Sequence, residues 1–189
     1  MRTTAKRTAI FAFSCLTVFA ADNLPDLRGV TNFHQVNDHI YRGAQPSDPG
    51  FGELAKLGIK TIIDLRESGQ RSGLEKKKVE AAGMRYLSFP LEGYGAPPDD
   101  VITKLLALFE DAKAGPVFVH CRRGADRTGT VLAVYRMVHD HWENTKALAE
   151  AKAFGMSWTE WAMQSYIARY KVGEPAASAA AATATVTQD

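Results

Sequence analysis

Residues 116–129 read Pro116-Val117-Phe118-Val119-His120-Cys121-Arg122-Arg123-Gly124-Ala125-Asp126-Arg127-Thr128-Gly129. The leading Pro-Val-Phe-Val is a short apolar run of the kind that forms a strand buried on both faces. Beyond the polar stretch, Val131, Val134, Tyr135 and Val138 recur at the spacing of one helix face. A strand that passes through a tight loop into a helix can curve six consecutive amides around one point, and the helix N-terminus adds partial positive charge there. Gly124 lets such a loop turn with its amides inward. Residues 120–129 therefore read as a cradle for an oxyanion, placed at the carboxyl end of a strand.

Upstream, Phe33–Val36 and His39–Arg42 form two short β-type runs around the turn residues Asn37-Asp38, an opening hairpin covering one sheet edge. Asp48-Pro49 starts a short helix that Gly58 stops. Lys60–Arg66 is then a strand, and Ser72 with Glu75 has the spacing of a capping box opening a helix to Ala82, closed by Gly83. Met84–Phe89 returns as a strand, a Gly- and Pro-rich loop runs from Pro90 to Pro98, and Val101, Leu105, Leu108 and Phe109 mark another helix. Two more helices follow the cradle helix, the last opened by Ser157-x-x-Glu160, with Trp158 and Trp161 expected in the core. Alternation of strands and helices predicts an α/β fold, a mostly parallel central sheet flanked by helices, which binds ligands at the carboxyl ends of its strands.

The chemistry of the cradle follows from its side chains. Cysteine is a nucleophile as thiolate, and the helix N-terminus, the converging amides and Arg127 all favour that form of Cys121. Arg127 offers a planar fork that holds two phosphoryl oxygens, which a lysine point charge does less well. Thr128 can donate its hydroxyl to the thiolate, and His120 can orient the loop through its ring nitrogens. Arg122 and Arg123 add positive charge suited to a polyanion, or pack outward against acids such as Asp64 or Glu92. Arg42 and Arg66 end strands, where ion pairs are as reasonable as phosphate contacts.

His-Cys-x-x-Gly-x-x-Arg-Thr-Gly, read from His120 to Gly129, resembles the motif of the protein tyrosine and dual-specificity phosphatase superfamily. At roughly 5% usage per residue type, six fixed residues align by chance at about one in 10⁸ positions, so coincidence is set aside. The stretches Tyr41-Arg42-Gly43-Ala44-Gln45-Pro46 and Gly58–Arg66 extend the likeness to the bacterial, plant and fungal atypical dual-specificity group, over about residues 33 to 170. That resemblance implies a phosphatase fold and phosphate-monoester hydrolysis through a phosphocysteine intermediate, with no metal and no organic cofactor. It places Cys121 and Arg127 in catalysis and His120, Gly124 and Thr128 around the bound phosphate, while the residues at the motif's variable positions, Arg122, Arg123 and Ala125, are expected to line it by their place in the loop and Asp126 to join Cys121 and Arg127 in catalysis.

One family feature is missing. Relatives of this type commonly carry an aspartate, as general acid, on a loop about thirty residues before the cysteine, and the matching stretch, Phe89 to Asp100, holds Gly93 at that place. Glu92 is a loop candidate, while Asp99 and Asp100 precede a helix whose free amides they would satisfy. Asp126, inside the cradle and next to Arg127, is the preferred donor. Its other reading is a carboxylate that fixes the loop. An aspartate at this place resembles the loops of secreted bacterial phosphatases acting on phosphotyrosine and phosphoinositides, and of myotubularin and Sac-type lipid phosphatases. The substrate reading thus extends from phosphotyrosine or phosphoserine proteins to phosphoinositides and inositol phosphates.

The 189 residues, 46% hydrophobic and 23% charged, suit one domain. Met1-Arg2-Thr3-Thr4-Ala5-Lys6-Arg7 followed by the apolar run to Ala20 has the form of a signal peptide, cut before or after Ala21. Retention as a membrane anchor, and lipidation at Cys15, are the alternatives. The expected organisation is a signal peptide over 1–20, a phosphatase domain over 21–173 and a disordered Ala/Thr-rich tail over 174–189, in a periplasmic or secreted monomer without a membrane span after cleavage. Without residues 1–20, 20 basic side chains face 21 acidic ones, so nucleic-acid binding has no support. The mature chain keeps one cysteine, Cys121, and no internal disulfide. A phosphate-binding module with little turnover, lacking its acid, is the competing function, and rhodanese-like sulfur transfer fits the motif less well.

Overall fold

The strand that delivers the cradle, β5 (Val117–Cys121), lies in the middle of a five-stranded sheet of order β1-β2-β5-β3-β4. The structure is a computed structural model that describes residues 27–173, so the expected signal peptide and tail lie outside the described residues. In chain order the elements are β1 (His34–Gln35), β2 (Ile40–Ala44), α1 (Asp48–Lys56), β3 (Thr61–Asp64), α2 (Gln70–Ala81), β4 (Arg85–Ser88), α3 (Asp99–Glu110), a 3-10 turn (Ala112–Ala114), β5, α4 (Asp126–Val138), α5 (Asn144–Ala153) and α6 (Trp161–Arg169). All strand pairs are parallel except β1 with β2. The hairpin sits at the edge, as expected, with Asn37 Oδ1 accepting from the His39 and Ile40 amides.

β5 is buried at every position, and its alternation sorts the molecule into two layers. Val117, Val119 and Cys121 face a core built with α3 to α6, where Phe109 meets Tyr135 edge to face. Phe118 faces the opposite core, with Ile62 and residues of α1 and α2 such as Leu54 and Val79. Helices thus cover both faces of the sheet. β2 and β3 flank β5 on either side, which makes the end of β5 a switch point between the two halves of the sheet.

Several local expectations are corrected. α2 starts at Gln70, and Ser72, in its first turn, exchanges hydrogen bonds with the backbone of Gly69 (2.9 and 2.7 Å). Glu75 therefore faces inward from the second turn and caps nothing. α6 begins after Glu160 without a side-chain cap, so Ser157 and Glu160 form no capping box. α4 is buried on nearly all sides from Thr128 to Tyr135, because α5 and α6 enclose the face turned away from the sheet. Trp158 and Trp161 are 87% and 75% exposed, contrary to a core position.

Candidate active site

Cys121 ends β5 with 1% of its surface exposed, and residues 122–125 bend from there into α4. The shape of this loop is fixed from outside. Asn32 Nδ2 donates to the carbonyls of Arg123 and Gly124 (both 3.2 Å) and of Phe154 (3.1 Å). Arg42 Nη2 also donates to the Gly124 carbonyl (2.8 Å), and the Gln45 amide reaches the Arg122 carbonyl. In a planar trans peptide the N–H points opposite to the C=O. Tying the carbonyls of residues 122 to 124 outward therefore turns the amides of Arg123, Gly124 and Ala125 to the other side, the orientation an anion requires.

Two glycines make this approach possible. A Cβ on Gly124, whose φ is +68°, would lie 2.3 Å from the Gly43 carbonyl group, and one on Gly43 would strike Phe118. The loop backbone thus rests directly on the end of β2. Arg42 is buried beneath it, stacked 4.0 Å from the centroid of the Phe154 ring. Burial, only partly offset by Glu150, lowers the Arg42 guanidinium to about 10, which leaves it charged at neutral pH.

His120 points away from Cys121, into the α2 layer, and is fully buried. Its Nε2 lies 2.8 Å from Glu75 Oε1, off the line of a good hydrogen bond, and its Nδ1 is 3.2 Å from the Cys121 carbonyl. Arg66 closes the network, donating to Asp64 and Glu75 at 2.6 Å each, and the Tyr86 hydroxyl donates to Asp64 (2.7 Å). Burial drives the Asp64 carboxyl up, but Arg66, His120 and Tyr86 outweigh it and hold the group below the ordinary carboxylate range. Asp64, Glu75 and His120 lie close enough together to hold a cation. The Arg66 guanidinium already fills that role. His120 is thus a support behind the loop rather than a contact for substrate.

In front of the loop is a cavity of about 550 Å³ lined by Arg122, Arg123, Asp126 and Arg127 together with side chains of the facing loops. Arg127 Nη1 reaches the Leu91 carbonyl at 3.4 Å, and Thr128 Oγ1 is buried without a hydrogen-bond partner among the described residues. Arg123 holds Asp126 through both oxygens (2.9 and 2.7 Å), and Asp126 Oδ1 accepts from the Ser157 amide at 2.8 Å. Ala125 is buried at the N-cap of α4. The other acids separate clearly. Glu92 is exposed and outside the cavity lining, Asp99 accepts from Tyr166 (2.8 Å), and Asp100 pairs with Lys104 (2.8 Å). Gly93, where the family's aspartate is expected, lines the cavity with room for a side chain.

Sequence reasoning missed Asn32 and Glu75. Glu75 leaves a trace, since it shares with Ser72 and Val79 the buried stripe of α2, where an acid is out of place. Asn32 leaves none, because its partners lie 91 to 122 residues away.

A buried cysteine at the end of a central parallel strand, a loop with its amides freed, and an arginine on the first turn of the next helix make up the site architecture of the tyrosine and dual-specificity phosphatase class. Residues 23–169 match the family described as DSP-PTPase phosphatase fused to NAD+ kinase, and the chain belongs to that family. It is 30% identical over 124 residues to the dual specificity protein phosphatase TpbA of Pseudomonas aeruginosa, covering 66% of this chain and 55% of TpbA. The likeness to inositol diphosphatase DSP3 of Arabidopsis thaliana is 31% over 153 residues, 77% of this chain and 74% of that protein. Among solved structures, TpbA in complex with pTyr superposes with a TM-score of 0.62 at 26% identity, over 72% of this chain and 82% of that one. The catalytic domain of the PP-IP phosphatase SIW14 from S. cerevisiae gives 0.64 at 25% identity, over 75% and 86%. The chain thus spans little more than half of TpbA.

Proposed function

We propose that the protein hydrolyses phosphate monoesters through a phosphocysteine at Cys121. The observation that carries this is the outward tying of the loop carbonyls by Asn32, Arg42 and the Gln45 amide, which leaves inward amides beside a buried cysteine and Arg127. The Cys121 thiolate attacks phosphorus in line with the leaving oxygen. The loop amides and the Arg127 fork take the charge on the equatorial oxygens. Water then attacks the phosphocysteine, the S–P bond breaks, and phosphate leaves. Asp126, with its oxygens held by Arg123 and Ser157, is assigned to fixing the loop.

The substrate class we favour is a polyphosphorylated one, an inositol phosphate or phosphoinositide. Arg71, Arg122 and Arg127 line the cavity and make no ion pair among the described residues, so three cations remain for a polyanion. The likeness to DSP3 and SIW14 supports the same choice. A phosphotyrosine protein is the second reading, favoured by Tyr94, which is 80% exposed on the cavity rim, and by the likeness to TpbA in complex with pTyr. The basic and then apolar stretch over 1–20 supports export to the periplasm or the medium. No described helix is long and apolar enough to cross a membrane.

Metal-free hydrolysis of p-nitrophenyl phosphate tests the proposal. Wild-type protein in EDTA turns it over, and Cys121→Ser loses turnover by about 10⁴-fold or more while still binding inorganic phosphate. A wild type that binds phosphate and turns over nothing would instead be the binding module.

A further inference from the structure

With Gly93 at the usual acid position and Asp126 engaged, the route by which the leaving oxygen gains its proton must lie elsewhere in the cavity. Two other carboxylates line it, Glu67 and Glu160. Glu67 is exposed on the β3–α2 loop. Glu160 is 7% exposed, and its Oε2 is buried without a hydrogen-bond partner among the described residues. Its main chain is fixed at both ends, the amide donating to the Ser157 carbonyl (3.1 Å) and the carbonyl accepting from Gln164 (3.0 Å). The side chain alone is uncommitted. A buried polar atom without a partner is costly and calls for a role.

From these observations we propose that Glu160 is the proton donor of the first chemical step and the proton acceptor of the second. This assignment rests on the phosphatase reading above. In the first step the Cys121 thiolate forms the S–P bond, the P–O bond to the leaving group breaks, and the departing oxygen takes the proton of the Glu160 carboxyl. In the second step the Glu160 carboxylate takes a proton from the attacking water. The S–P bond then breaks to regenerate the thiolate, and Glu160 is again protonated. One ester and one water give one alcohol and one phosphate, with no other reactant.

The electrostatics agree with this cycle. Burial raises the Glu160 carboxyl above its ordinary value, the negative charge of Asp126 pushes the same way, and Arg123 and Arg127 pull back. An acid needed in its protonated form is lost as pH rises through that raised value, so hydrolysis of a poor leaving group has a falling high-pH limb set by Glu160. Asp126 thereby contributes twice, by shaping the loop through Arg123 and by keeping a neighbouring carboxyl charged with its proton.

The experiment compares an alkyl phosphate with p-nitrophenyl phosphate in wild type, Glu160→Gln, Glu160→Asp, Asp126→Asn and Glu67→Gln, with thermal midpoints recorded for each. Glu160→Gln is expected to lower kcat/KM, which reports the first step, on the alkyl phosphate by about 10²-fold or more, to leave kcat/KM on p-nitrophenyl phosphate within a few-fold, to slow breakdown of the phosphocysteine from both, and to remove the high-pH limb. Glu160→Asp, which keeps a shorter acid, should recover part of the loss with the limb present. Asp126→Asn should lower kcat/KM on both substrates alike at pH below the limb and move the limb to lower pH. Equal kcat/KM losses in Glu160→Gln, a limb that Glu160→Gln leaves unchanged, or a selective loss below the limb in Asp126→Asn or Glu67→Gln overturns the assignment. If wild type hydrolyses neither substrate, the phosphatase reading itself falls and the donor falls with it.

Discussion

The two sides of the cradle are built in opposite ways. Behind it, every polar side chain has a partner for at least one of its atoms: Asp64, Arg66, Glu75, Tyr86 and His120 form one buried network, in which His120 Nε2 and Glu75 Oε1 touch without a well-aligned hydrogen bond, and Asn32 and Arg42 hold the loop carbonyls. In front, Arg71, Arg122 and Arg127 have no carboxylate partner among the described residues and Glu160 keeps an unused oxygen, while Tyr94 and Trp158 stand in solvent. Groups that shape a site gain from being fixed, since a small misplacement of the loop amides costs much of the stabilisation they offer. Groups that must receive a substrate, or pass a proton, are of use only while unpaired. The division between fixed and unspent side chains therefore follows the division between scaffold and chemistry.

Substitutions behind the cradle should cost far more stability than substitutions in front of it. Glu75→Ala has the largest expected effect. It leaves Arg66 short of one buried carboxylate and His120 without its neighbour, a loss of about 3 kcal/mol in urea unfolding with the m-value unchanged. A loss below 1 kcal/mol would break the contrast. Asn32→Ala should cost about 1–2 kcal/mol and weaken inorganic phosphate binding, because two loop carbonyls lose a donor on which the amide orientation depends. Calorimetric titration of phosphate against the variant checks the second half. The smallest change is expected for Trp158→Ala, which should stay within about 0.5 kcal/mol of wild type because its ring is 87% exposed. A larger loss would show that the front rim also carries the fold.

Most of the sheet and the cradle was legible in the sequence, because strand, loop and helix are contiguous there and their patterns are local. The run from Pro116 to Gly129 was placed at a strand end, and the order of elements followed from turn residues such as Gly58 and Gly83. What escaped was long-range. Ser72 and Glu75 have the spacing of a cap, yet the earlier start of α2 at Gln70 rotates Glu75 inward to His120, a contact spanning 45 positions that no local pattern encodes. Ser157 and Glu160 deceived in the same way, since the spacing is correct and the helix begins later. Hydrophobicity alone puts the tryptophans inside, a rule that works poorly for a residue with a polar handle on a loop, as Trp158 is, or at the start of a helix, as Trp161 is. Asp126 was readable as a loop-fixing group, but its partner Ser157 was not.

The outer ties of the cradle come from Asn32 and Arg42 near the start of the domain, and from Phe154 near its end, which gives Asn32 a third carbonyl and Arg42 its ring. A growing chain that has just completed His120 to Gly129 holds the entire motif and lacks the ring that stacks on Arg42. The anion site therefore draws on a residue made 33 positions after the nucleophile, and a chain that has not reached Phe154 carries the cysteine without the ring that stacks on Arg42 or the third carbonyl that anchors Asn32.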